Sequence, residues 1–145
     1  AAGGLMVVRT VVDDLIEVAR DLRRDGEPLL QDPVVRDTLV QYLMEEKALT
    51  LGDRRMAHGA LNTDYPFSLA LSGKLRSSEF QRRMRQYAVQ LQGAHGSLYV
   101  GDEDVPASGF WQRAYFNNFS TTIGGGTSQV QANIVGERVL GLPKD

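Results

Sequence analysis

Ile123-Gly124-Gly125-Gly126-Thr127-Ser128-Gln129-Val130-Gln131 runs three consecutive glycines into a stretch that begins with helix-capping residue types. A glycine bend entering a helix leaves main-chain N–H groups without intrahelical partners, and the helix dipole adds partial positive charge there. Such a place can hold an anionic or strongly polar group, a phosphate or a carbonyl oxygen. It lacks the marks of a P-loop or a dinucleotide fingerprint, because no buried strand precedes it and no Gly-Lys-Ser/Thr follows. The plainer reading of the same residues is a helix-to-helix turn capped by Thr127 or Ser128.

Other chemistry-bearing residues are scattered. The chain has no cysteine, which excludes disulfides, thiolate metal sites and a cysteine nucleophile and fits the reducing cytoplasm in which we expect the protein. His58 and His95 are isolated, with no carboxylate at metal-ligand spacing, so no metal is expected; His95, in a glycine-rich segment, is the better candidate of the two to lie near a ligand, but a surface role is favoured. Lys74, Arg76, Arg82, Arg83 and Arg85 make one helix locally basic. Against 16 basic and 18 acidic side chains and a formal charge of -2, this run reads as a solvated face or a subunit contact, not a nucleic-acid surface. Asp13, Asp14 and Glu17 read as solvated, and Trp111, Tyr115 and Phe119 as core or interface anchors.

These residues must be positioned by helices. Leu5, Val8, Val12, Leu15, Ala19 and Leu22 recur at steps of three and four, predicting an amphipathic helix that ends near Asp25-Gly26, with Pro28 beyond it. Asp32-Pro33 is an N-cap followed by proline at the first helical position, and Val35, Leu39, Tyr42, Leu49, Met56 and Ala60 carry that helix to about Leu61. Asn62 to Pro66 is a turn. A third helix is predicted from about Phe67 to Leu91, a long loop from Gly93 to Gly109, and a short aromatic helix from Phe110 to about Phe119. The last helix runs from about Thr127 to Leu140, closed by Gly141 and stopped by Pro143. No period-two alternation marks a strand. The expectation is an all-α fold, an antiparallel four-helix bundle with an additional short aromatic helix, forming one domain over residues 1–145.

No apolar run approaches the roughly 18 residues needed to cross a bilayer, so no membrane association is expected. The opening Ala1-Ala2-Gly3-Gly4 lacks the form of a secretion signal. The chain starts without methionine inside a helical pattern, and we expect an excised piece of a longer protein.

Gly-Gly-Thr-Ser-Gln-Val-Gln, followed by Asn133-Ile134-Val135-Gly136-Glu137-Arg138-Val139-Leu140-Gly141-Leu142-Pro143, resembles the C-terminal end of acyl-CoA dehydrogenases. Upstream, Val89-Gln90-Leu91-Gln92-Gly93-Ala94-His95-Gly96 is similar to that family's Gln-x-x-Gly-Gly-x-Gly segment. The resemblance covers essentially the whole chain but only the last domain of a family member, and implies that an N-terminal helical domain and a middle β-domain are absent here. It implies a bound FAD between subunits, with Gln90, Gly93, Thr127 and Gln129 against its adenosine diphosphate portion. It further implies α,β-dehydrogenation of a fatty acyl-CoA to the 2,3-enoyl-CoA, assembly as a homo- or hetero-oligomer through the bundle, and an electron-transfer flavoprotein or similar acceptor.

Two positions depart from the family pattern. Many members carry a glutamate immediately before Gly-Thr as the base that removes the α-proton; here that position is Gly125, so the loop supplies no catalytic side chain. The Gly125 amide could still bond the thioester carbonyl. The base then comes from an upstream helix or another subunit, or the subunit is catalytically silent. The family's Arg-x-x-Phe-Gly segment reads Leu22-Arg23-Arg24-Asp25-Gly26, with aspartate in place of the aromatic, which favours a specialised hetero-oligomer. The isolated domain is expected to be inactive. A structural subunit of a hetero-oligomeric dehydrogenase and a free-standing helical binding module are the alternatives.

Overall fold

The computed structural model describes residues 11–58 and 68–144. Among the described residues five α-helices make up the framework: α1 (Val12–Asp21), α2 (Pro33–Ala57), α3 (Ser68–Leu91), α4 (Phe110–Ile123) and α5 (Ser128–Arg138). The all-α expectation holds. The predicted positions Leu5 and Val8, the end of the second helix at Ala60 and Leu61, the turn at Asn62 to Pro66 and the start at Phe67 lie outside the described residues.

Local sequence explains where the helices begin. Asp14 Oδ2 accepts from the Val11 N–H at 3.0 Å, tying off the start of α1. Asp32 caps α2 through Oδ1, accepting from Val34 N at 2.8 Å and Val35 N at 3.4 Å, and Pro33 fills the first helical position. Gly52 and Gly73 do not interrupt α2 or α3. Each costs about 1 kcal/mol relative to alanine, which the tertiary packing of a long helix absorbs.

α3 is the hub: it packs on α1, α2, α4 and α5. Tyr42 of α2 meets both Phe80 and Tyr87, and Arg83 reaches Glu45, while Gln92, just past the end of α3, and Ser78 of α3 meet Gln112 and Asn118 of α4 respectively. In both pairs sequence numbers rise on one helix as they fall on the other, so α2, α3 and α4 run antiparallel. Val12, Leu15 and Ala19 of α1 are fully buried against Leu29, Val35, Leu39, Phe80, Met84, Ala88, Leu91 and Trp111. Each large side chain so placed contributes about 1.5–3 kcal/mol of apolar burial.

Among the described residues the structure adds to the predicted elements a hairpin, a longer α4 and three short 3-10 turns, Leu29–Gln31, Gly93–Ser97 and Pro106–Gly109, the last two inside the expected long loop. The segment expected to terminate the first helix is instead a small hairpin, Arg23–Arg24 paired antiparallel with Glu27–Pro28. Its two-residue loop, Asp25 (φ 54°) and Gly26 (φ 87°), has positive φ at both central positions, as a type I′ turn requires. The aromatic helix also runs one turn past Phe119, to Ile123, and contributes Trp111 and Ala114 to the core.

Candidate functional site

The glycine bend connects the end of α4 to the start of α5. Gly124 has φ -59° and ψ 131°, Gly125 has φ 72°, and Gly126 N donates to Ile123 O at 3.0 Å. This is a type II turn with Gly125 at the position that needs positive φ. A Cβ on Gly125 would meet nothing within 4 Å, so the residue faces open space. Its amide N–H has no acceptor among the described residues, and neither do the N–H groups of Ser128 and Gln129 in the first turn of α5. Thr127 caps α5, its Oγ1 accepting from Val130 N at 3.3 Å.

The carbonyl side of the bend is occupied. Gly125 O accepts from Gln131 Nε2 at 2.6 Å, Gly126 O from Lys74 Nζ at 2.5 Å, and Thr127 O from Gln131 N at 2.9 Å. Lys74 Nζ also lies 3.5 Å from Thr122 O, at the carbonyl end of α4 where a cation is favoured. Ser128 Oγ donates to Glu79 Oε1 at 2.5 Å, and Arg82 Nε donates to Glu79 Oε2 at 3.0 Å. The Ser128 hydroxyl, followed by the Arg82 guanidinium, holds the Glu79 carboxyl below its ordinary range. Sequence reading missed Lys74 and Glu79, which lie some 50 residues from the bend; only their membership of the basic third helix marked them.

Gly125, Thr127 and Gln129 follow one another along the bend and the first turn of α5, Gly125 and Gln129 exposed and Thr127 half-buried. The structure does not bring Gln90 and Gly93 to them. Glu79 anchors the bend beside the middle of α3, and Gln90 follows eleven residues later, about 16 Å along the helix. Gln90 and Gly93 are exposed at the end of α3, where Gln112, 2% exposed, donates from Nε2 to Gln92 Oε1 at 2.7 Å and lies 3.4 Å from His95 O. His95 and His58 are both exposed. Among the described residues no group of three or more acidic or histidine side chains could hold a metal ion, and no helix is long and apolar enough to cross a membrane.

A cleft of about 490 Å³ opens between α2, α3 and α4, with Leu49, Met56, Phe80, Asn118 and Lys74 among its walls. Gln90, Gly93, Thr127 and Gln129 do not line it. Gln90, Gly93 and Gln129 are exposed and Thr127 is half-buried, so they can be one wall of a nucleotide site but need further polypeptide to close over the ligand. As a partial wall they suit FAD: neutral donors at a helix N-terminus and a carboxamide suit phosphate and ribose oxygens without adding charge.

The basic run on α3 is divided by the fold. Arg82 and Arg83 pair with Glu79 and Glu45 near the surface, whereas Arg85 is 4% exposed and donates to Ala114 O at 3.2 Å and Asn118 Oδ1 at 3.0 Å. A solvated face is therefore the wrong description of Arg85, whose guanidinium is pushed down from its ordinary pKa by desolvation. The predicted aromatic anchors also divide: Trp111 is buried, Tyr115 half-buried and Phe119 exposed.

Residues 1–140 match the family model described as "Acyl-CoA dehydrogenase, C-terminal domain". The chain is 33% identical over 133 residues to acyl-CoA dehydrogenase IpdE1 of Mycolicibacterium smegmatis, covering 91% of this chain and 30% of the relative. It is 28% identical over 144 residues to acyl-CoA dehydrogenase IpdE1 of Mycobacterium tuberculosis, covering 99% and 34%. Among solved structures, the ChsE4-ChsE5 complex from Mycobacterium tuberculosis matches with a TM-score of 0.77 at 21% identity over 92% of this chain and 35% of that one. The Tcur3481-Tcur3483 steroid ACAD matches with a TM-score of 0.75 at 22% identity, over 92% and 34%. At those identities the structural matches speak for the fold. The chain spans about a third of the length of the relatives it matches. Taken together, the family match over residues 1–140 and the helical framework that carries the glycine bend show that the chain belongs to the acyl-CoA dehydrogenase family, as its C-terminal domain.

Proposed function

We propose that this chain is the part of an FAD-dependent acyl-CoA dehydrogenase that presents main-chain donors to the flavin nucleotide and to the substrate thioester. The observation that carries this reading is the bend, where the N–H groups of Gly125, Ser128 and Gln129 have no acceptor among the described residues. Thr127 and Gln129 hold the adenosine diphosphate portion at one end of the domain, and Gln90 and Gly93 contact it at the other. The 16 Å or so of α3 between them fits an extended dinucleotide shared between subunits better than a compact ligand. Bound FAD would supply the hydride acceptor for the β-hydrogen in forming the 2,3-enoyl-CoA, with the α-proton passing to a carboxylate.

Gly125 donates its N–H to the thioester oxygen and so makes the α-proton more acidic, but it cannot accept that proton. The carboxylate base comes from outside this bend, upstream or on a partner subunit. A hetero-oligomer follows naturally, and the relatives described as the ChsE4-ChsE5 complex and as a steroid ACAD suggest a mixed assembly acting on a ring-bearing acyl-CoA.

A specific observation favours a second reading, that of a structural subunit whose partner holds the complete site. Arg24, in the segment where the family uses an arginine on the partner's flavin pyrophosphate, lies in the hairpin with its Nη1 3.4 Å from Asp32 Oδ2, and acidic Asp25 occupies the turn. Co-purification of the parent protein with candidate partner subunits, followed by flavin absorbance and its bleaching on addition of an acyl-CoA, tests both. Bleaching that is lost when the Gly125–Gln129 segment is altered supports the first. Bleaching unaffected by those changes supports the second, and an assembly without flavin rejects both.

A further inference from the structure

We propose that Lys74 and Glu79 are positioning residues that clamp the glycine bend from α3, so that its carbonyls turn inward and its amides face the ligand. The proposal rests on the reading of the bend as a flavin and thioester site, and extends it to two side chains that no motif marks.

Lys74 and Glu79 lie about 7 Å apart along α3 and engage opposite sides of Thr127, Lys74 through Gly126 O and Glu79 through the Ser128 hydroxyl. Thr127, whose side chain caps α5, is thus fixed between two tertiary contacts. Three successive carbonyls, those of Gly125, Gly126 and Thr127, are satisfied by Gln131 and Lys74. A free carbonyl at the bend would repel a phosphate or a thioester oxygen; one bonded into the protein does not. The N–H groups of Gly125, Ser128 and Gln129 have no acceptor among the described residues, and a turn with glycine at three positions has no stiffness of its own to hold them in place. The stiffness comes from α3. Lys74 also brings a positive charge beside the bend, favourable to a ligand that is anionic, while the opposing charge of Glu79 is partly met by Arg82.

The clamp is tested in two arms with Lys74→Met and Lys74→Arg. In the 145-residue chain, amide hydrogen exchange across Gly124–Gln131 is followed by NMR, with the amides of α2 as the internal reference for folding. In the parent assembly, the dissociation constant for FAD is measured. Lys74→Met is expected to speed exchange at Gly126, Val130 and Gln131, whose N–H groups bond to Ile123 O, Thr127 Oγ1 and Thr127 O, while leaving α2 unchanged, and to weaken FAD binding about tenfold, the equivalent of one charge-assisted hydrogen bond. Lys74→Arg, which keeps the charge and the donor, restores both. Unchanged exchange at the bend in Lys74→Met overturns the clamp. Faster exchange with unaltered FAD affinity, or no recovery with arginine, overturns its role in positioning. A wild-type assembly that binds no FAD defeats the flavin reading itself, and the exchange arm still decides the clamp.

Discussion

Arg85 of α3 donates to Asn118 Oδ1 of α4 at 3.0 Å, and both side chains are buried. Asn118 Nδ2 in turn lies 3.5 Å from Ser78 O, so one carboxamide answers a guanidinium on one side and a main-chain carbonyl on the other. This polar link sits just below the bend, one turn of α4 before Thr122. A buried cation is tolerated only where acceptors surround it. Asn118→Ala removes one such acceptor and a donor together. We expect a loss of about 2 kcal/mol, the usual penalty for leaving a buried group short of a partner, read from the urea midpoint of the chain. An unchanged midpoint would show that the link carries no stability.

Gly125 is held at φ 72° with open space where a Cβ would lie. Gly125→Glu, which places the family's loop carboxylate at this position, therefore meets conformational strain and no steric block. It is expected to lower stability by about 1 kcal/mol and to leave helix content intact by circular dichroism. In the parent assembly it is expected to reduce turnover, because the Gly125 amide already serves the thioester and the base lies elsewhere. Increased turnover would mean that this bend lacks only a carboxylate.

Thr127 and Gln129 separate structural from cofactor roles. Thr127 caps α5, so Thr127→Ala should destabilise the chain by about 1 kcal/mol as well as weaken flavin binding. Gln129 is exposed in the first turn of α5, and its truncation should leave the melting temperature within experimental scatter while lowering FAD retention in the assembly. Equal FAD affinity in Gln129→Ala and wild type, measured by flavin fluorescence, would remove Gln129 from the site.

Helix periodicity and end signals were legible where one rule acted alone. Asp32-Pro33 started α2 as read, because a cap and a fixed φ need no tertiary partner. Asp25-Gly26 was ambiguous: an Asp-Gly pair serves a type I′ hairpin as well as glycine serves a helix end, and the short pairing of Arg24 with Glu27 decided it. α4 outran its expected end because no glycine or proline stands between Phe119 and its C-cap Gly124, and the hydroxyls of Ser120, Thr121 and Thr122 turn back onto the carbonyls of Asn117, Asn118 and Phe119, an arrangement a helix accommodates. In the candidate site, the motif residues were readable and their supports were not. Lys74, Glu79 and Arg85 share one basic run, yet one clamps a carbonyl, one accepts a hydroxyl and one is buried; charge pattern carries no information about which neighbour a helix face meets.

Glu79 gives the clamp a pH dependence with a definite sign. Its carboxyl is held below the ordinary value of 4.5, first by the Ser128 hydroxyl and then by Arg82, and only in the folded chain. A depressed folded pKa means that the unfolded chain binds the proton more readily, so the contribution is complete above pH 4.5 and is lost as pH falls through the folded value. The first turn of α5 should therefore loosen in acid before the core does. Carbon-13 titration of the Glu79 carboxyl by NMR should place its midpoint below 4.5 in wild type and higher in Ser128→Ala, where the leading cause is gone. Glu79→Gln should remove the corresponding acid-labile component from the pH profile of the urea midpoint. A titration that ignores Ser128→Ala would assign the depression to Arg82 alone and break the link between Glu79 and the bend.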